Sequence, residues 1–250
     1  MAEGSGHGCA PRVLVIDTAT RRATVAVVQA DQVLADAFHE QPSTHAERLL
    51  SMVDDVLARS VGSLACIDLL AVGMGPGSFT GVRVGMAVAK GLGFAGGIPG
   101  VGVTSLAAMA HAARQIVGDR LVIPMVDAKK GEVFLACFDG DGGLLAGPEH
   151  IPRDGVAGWL GAVSVTGPKA VVGEVAAELG LGEYQVTRGA SCDLPGAQSM
   201  ASLAVVQWTA NHQDQIESLE PLYVRPPDIT YPASRPPTLA SNSTKGGGWA

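Results

Sequence analysis

Asp17 ends an apolar run, Val13–Asp17 (VLVID), and is followed by Thr18-Ala19-Thr20. A strand-end carboxylate beside hydroxyls can hold a magnesium-bound phosphate if a glycine lets the backbone approach; here Ala19 stands in that place. An aspartate bonding its own turn, near Thr18 or Thr20, is the plainer use. Further along comes Gly73-Met74-Gly75-Pro76-Gly77-Ser78, ahead of a helical pattern. Free N–H groups at a helix start attract anions, so Asp17, Gly75, Gly77 and Ser78 form a candidate nucleotide site. The spacing fits neither common phosphate fingerprint. No Gly-Lys-Ser/Thr is present, and Gly81 is one place late for G-x-G-x-x-G counted from Gly75.

Other reactive side chains are isolated. His45 has Leu49 four residues on, where a helical metal pair needs a second histidine. Asp127 and Glu132 flank the Lys129-Lys130-Gly131 turn without a histidine or nucleophile beside them, and no catalysis is assigned to them. A basic turn of this kind is ordinarily a solvated one. Cys9, Cys66, Cys137 and Cys192 are scattered with no C-x-x-C pair, as expected of reduced core thiols. The pattern calls for no metal and no cofactor.

The elements that would position these residues read clearly. Val13–Asp17, Ala23–Gln29 and Gln32–Phe38 predict an antiparallel meander. Then follow a helix over Thr44–Arg59, a buried strand at Ile67–Gly73, a helix over Ser78–Phe94, a strand at Ile98–Val103 and a helix over Ser105–Ile116. Strands at Leu121–Asp127, Glu132–Phe138 and Gly143–Pro148 repeat the opening. A helix near Arg153–Gly161, a strand at Lys169–Gly173, a helix at Glu174–Leu179, a strand at Tyr184–Thr187 and a helix near Gln198–His212 complete the second half. Two halves of like order imply duplication. The expected division is an extension over 1–12, a subdomain over 13–117, a second over 118–225 whose last helix can pack back on the first, and a tail over 226–250. Extension and tail, the latter rich in Pro, Ser and Thr, are expected to be disordered. The predicted class is α/β: an actin-like (ribonuclease-H-like) fold, each subdomain a mixed sheet with flanking helices.

Composition bounds the function. Of 250 residues 47% are hydrophobic, 4% aromatic and 33 are glycine, which describes a core of small aliphatic side chains in close contact. The net charge of -7 argues against an independent nucleic-acid binder, whose phosphate contacts need a basic surface. The first twelve residues lack the apolar stretch of a secretory signal, and no uncharged run is long enough to span a bilayer, so a cytoplasmic protein is expected.

The two long helices of the first half carry the docking hypothesis. Thr44 and Glu47 have capping-box spacing. Beyond them His45, Leu49, Met52, Val53 and Val56 fall on one apolar arc. In the next helix Gly81, Gly85, Ala89 and Gly93 recur every fourth residue, flanked by Val84, Val88 and Leu92. Glycine inside a helix costs about 1 kcal/mol relative to alanine, so a row of them implies close approach by another element. The expectation is a partner surface made of both helices, with Gly85→Leu leaving a folded chain that no longer binds. The plainer alternative is that the row receives the chain's own sheet or a neighbouring helix.

GMGPGSFTGVRVGMAVAKGLG resembles the TsaB (YeaZ) family. The likeness extends to VLVIDTAT at 13–20, THAERLL at 44–50, VDAKKGEVF at 126–134 and PLYVRPPD at 221–228. The resemblance implies a non-catalytic scaffold that supports TsaD in transferring a threonylcarbamoyl group to tRNA adenosine. It further implies a helical bundle with TsaD, TsaE in the larger assembly, tRNA contact mainly through the complex, and a possible homodimer alone. The competing expectation is a small-metabolite kinase of the actin-like superfamily using Asp17 and the loop Gly75–Gly81.

Overall fold

The computed structural model describes residues 10–40, 45–163, 167–181, 184–214 and 216–225. The first half is a five-stranded sheet built from β1 (Arg12–Asp17), β2 (Ala23–Gln29), β3 (Gln32–His39), β4 (Leu69–Gly73) and β5 (Gly100–Val103) in the order β3-β2-β1-β4-β5. β1 pairs antiparallel with β2, Val13 opposite Val28, and parallel with β4, Val13 opposite Leu69. Parallel neighbours need crossovers, which are α1 (His45–Arg59) and α2 (Phe79–Gly96). Period-2 alternation sends Leu14 and Ile16 to the face covered by α1 and α2. Val13 and Val15 go to the opposite face. Both faces are covered, so β1 reads as a continuous apolar run.

The second half repeats the plan with β6 (Leu121–Lys129), β7 (Glu132–Phe138), β8 (Leu144–Pro152), β9 (Lys169–Val172) and β10 (Gln185–Thr187), ordered β10-β9-β6-β7-β8. Read from the other edge this is the same order as in the first sheet. α3 (Ser105–Val117) joins the halves and packs its alanines and Met109 against β6 and β7. α4 (Val156–Ala162) covers the far face through Val156 and Leu160. The stretch Glu174–Glu178 is a tight 3-10 turn where an α-helix was expected, and the four-residue α5 (Ala190–Asp193) has no counterpart in the sequence reading.

α6 (Ala197–Asn211) crosses back onto the first sheet, where Met200, Ala201 and Ala204 meet Val13, Val15, Leu69 and Ala71. After it, residues 216–225 run as a strap along the first half. Ile216 and Leu219 enter its core, Lys90 Nζ donates to the Glu217 carbonyl at 2.9 Å, and Leu222 N donates to the Met74 carbonyl at 2.8 Å. The strap finishes against the second sheet, where Arg225 meets Glu132 at 2.8 Å.

Candidate partner-docking face

α1 is amphipathic, but its apolar arc faces inward. Leu49, Met52, Val53 and Val56 are buried in the core beside Leu14, Ile16, Val25 and Leu70. This corrects their assignment as partner contacts, because the period that makes such an arc is the one that seats a helix on its own sheet. The outward side carries Arg48, Asp54, the Asp55–Arg59 ion pair at 2.7 Å, and Leu50, 55% exposed. His45 opens the helix; its side chain and the Thr44 cap lie outside the described residues.

The glycine row of α2 is corrected in the same way. A Cβ on Gly81 would collide with the Thr18 carbonyl oxygen, and one on Gly85 with Thr18 Oγ1. A Cβ on Gly93 would come within 2.8 Å of Ile216 Cγ1, and Ala89 is fully buried. The row receives the turn after β1: Thr18 Oγ1 donates to the Gly81 carbonyl at 2.6 Å, and Ser78 N donates to the Ala19 carbonyl at 2.6 Å. The inference of close approach holds, and the approaching backbone belongs to this chain. Gly85→Leu is therefore a folding lesion rather than a docking one.

The opposite side of α2 is the open one. Val84, Val88 and Leu92 are half-buried on its flank, so these three of the expected residues stay at the surface. Between them Ala87 and Gly91 are exposed, and a Cβ on Gly91 would meet open space. Phe94 is 87% exposed. α1 and α2 pack on each other and cover the same face of the first sheet, so their outward sides share one side of the molecule. At the start of α2 the Arg83 guanidinium lies 3.9 Å over the Phe79 ring, and its Nε donates to the Tyr223 hydroxyl at 2.6 Å. An exposed phenyl ring amid small side chains is what a helix of another molecule can pack on. Phe94, Ala87, Gly91 and Leu50 were missed in the sequence. For Phe94, Ala87 and Gly91 the available signal was the arc of α2 opposite the glycine row, and for Leu50 its place outside the apolar arc of α1.

The candidate nucleotide residues divide. Asp17 is 2% exposed, and its carboxylate, packed against Gly73, accepts from Ala19 N at 3.1 Å. Burial pushes this carboxyl up to about 6, partly offset by the backbone N–H groups of Ala19 and Thr18. Gly75, at φ +85°, gives its carbonyl to Ser105 N at 2.8 Å. Both serve the fold and lie off the cleft. Gly77 and Ser78 do line a cleft of about 410 Å³ between the two sheets. Ser78 caps α2, its Oγ accepting from Gly81 N at 3.1 Å. Ser78 N is given to the Ala19 carbonyl, so two N–H groups of the loop and first turn, those of Ser78 and Gly81, are committed to the chain itself.

A family model described as TsaD, tRNA N6-adenosine threonylcarbamoyltransferase, matches residues 32–195. The chain is 35% identical to the tRNA threonylcarbamoyladenosine biosynthesis protein TsaB of Escherichia coli over 225 residues, covering 86% of this chain and 94% of that one. It is 30% identical to the TsaB protein of Haemophilus influenzae over 235 residues, covering 85% and 93%. The solved structure of YeaZ from Pseudomonas aeruginosa superposes with a TM-score of 0.68 at 30% identity, covering 85% and 99%. Near-complete coverage at this identity, together with the shared two-sheet actin-like architecture, means that the chain belongs to the TsaB (YeaZ) family.

Proposed function

We propose that this protein acts in forming threonylcarbamoyladenosine in tRNA as a non-catalytic subunit that binds TsaD through the outward face of α1 and α2. The names of its relatives supply the pathway. The observation that carries the docking reading is Phe94, the most exposed large apolar side chain of the chain's described part, set beside Ala87 and Gly91 on a long helix. Small residues let a partner helix come near, and a protruding ring supplies the buried area that drives association. The charged outward side of α1 would form the polar rim. Asp17, the carboxylate that a kinase reading needs beside the phosphates, is buried and off the cleft, which speaks against phosphoryl transfer by this subunit. TsaE and tRNA would join through the complex, and a homodimer on the same face is the expected competitor of the heterodimer.

Co-purification with TsaD tests the reading. Phe94→Glu and Gly91→Leu should each keep the melting temperature of the parent and lose co-elution. Full-strength co-elution of both variants overturns it.

A further inference from the structure

The strap grips α2 near both ends and then crosses to the second half. Towards the end of the helix Ile216 packs on Gly93, and Lys90 Nζ donates to the Glu217 carbonyl at 2.9 Å. Two turns earlier Arg83 Nε donates to the Tyr223 hydroxyl at 2.6 Å, and the Tyr223 ring stands 5.2 Å from that of Phe79. The strap therefore runs antiparallel to α2, on the flank away from Val84, Val88 and Leu92. It closes with Val224 against the core beneath β6 and β7. Arg225 then donates to Glu132 Oε2 at 2.8 Å and to the Ala128 carbonyl at 3.0 Å.

The grip is uneven along the strap. Ile216 and Leu219 are buried, whereas none of residues 220–225 is. A segment with little buried surface opens at low free-energy cost, so this last part can leave while the first part stays. Docking supplies a reason for it to stay. Arg83, Ala87, Gly91 and Phe94 are all exposed, at the i, i+4, i+8 and i+11 spacing of one helix face. A partner helix laid on that stripe covers the Arg83 guanidinium. Without the Tyr223 oxygen, the covered Nε would be a buried donor lacking its acceptor, which is costly. The docked state therefore favours the strap in place, and by reciprocity the strap in place favours docking. We propose that residues 220–225 form a latch that couples docking on α2 to the β6–β7 hairpin of the second half. The partner is the TsaD of the docking reading above, on which this inference rests.

Calorimetry of the full chain with TsaD, and hydrogen exchange on the same samples, tests the latch. Tyr223→Phe removes the acceptor and Arg225→Ala releases the crossing; each should weaken TsaD binding about fivefold or more, with the circular dichroism spectrum unchanged. The double variant should lose little beyond the larger single loss, because both substitutions act on one element. TsaD should slow amide exchange over residues 128–133 by about fivefold or more in the parent, and leave it unaltered in Arg225→Ala. Parent-strength binding by Arg225→Ala overturns the latch, as do fully additive losses or a hairpin whose exchange ignores TsaD. Phe94→Glu separates the two readings. If it fails to bind while Arg225→Ala binds like the parent, the latch alone falls. If it binds at full strength, the docking face is wrong and the latch falls with it.

Discussion

The two halves share a strand order and differ in what covers it. Over the first sheet the crossovers are α1 and α2, of 15 and 18 residues. At the corresponding places over the second sheet stand α4, of seven residues, and a 3-10 turn of five. Both layers seal a core: Leu49 in one and Leu160 in the other are fully buried. Only the longer layer has a second side with enough length and apolar surface to meet another helix. A shared strand plan thus leaves helix length free to differ, and on the docking reading proposed above the first layer is the one that meets a partner.

The comparison can be broken or sharpened by substitution. Leu49→Ala and Leu160→Ala should both destabilise the chain by about 2–5 kcal/mol in denaturant melts, since each empties a core position. Equal costs would say that the layers are equivalent as cores. Gly85→Leu should cost about 3 kcal/mol or more because the new side chain meets Thr18, whereas Gly91→Leu should stay within about 0.5 kcal/mol. If the two glycine variants melted alike, the assignment of inner and outer sides of α2 would be wrong.

A pH series probes the first half alone. The folded chain holds the Asp17 proton more tightly than the unfolded chain, because the carboxyl is raised from 3.8 to about 6. Its favourable contribution is complete below about pH 4 and is lost as pH climbs to about 6. Asp17→Asn should therefore gain on the parent across that interval, by an amount on the order of 2–3 kcal/mol; a constant difference between the two would refute the burial argument. Phe94→Glu should weaken TsaD binding by about tenfold or more, an effect of about 1.4 kcal/mol that melting of the isolated chain does not register. Arg21→Ala, which breaks exposed pairs across the cleft, should change stability by less than about 1 kcal/mol.

Most of the fold was legible because its strands alternate or run apolar between turn residues, as VLVID and ATVAVVQ do. The short pieces were not: α5 has four residues, too few for a period, and the 174–178 turn has a helical composition without helical length. The proposed docking face was legible only in part. α1 is amphipathic, and an apolar arc on one sequence cannot say whether it meets its own sheet or a stranger. α2 carries apolar or small side chains on most of its circumference, with Val82 and Met86 inside, Val88 on the flank and Phe94 outside, broken only by Arg83 and Lys90, so its periodicity names two candidate sides without ranking them. The glycine row marked close approach correctly, but its occupant, the Thr18–Ala19 turn, sits some sixty residues earlier in the chain, beyond the reach of any local pattern.

The strap and α6 also set the order in which the molecule can be born. Ile216, Leu219 and Met200 complete the core around β1 and β4, yet they are among the last described residues to leave the ribosome. The amino-terminal half must wait, with one flank of its sheet bare, until α6 and the strap have been translated. Nascent chains stalled before Ala197 should consequently be captured by chaperones, and those in which Arg225 has emerged from the ribosome released.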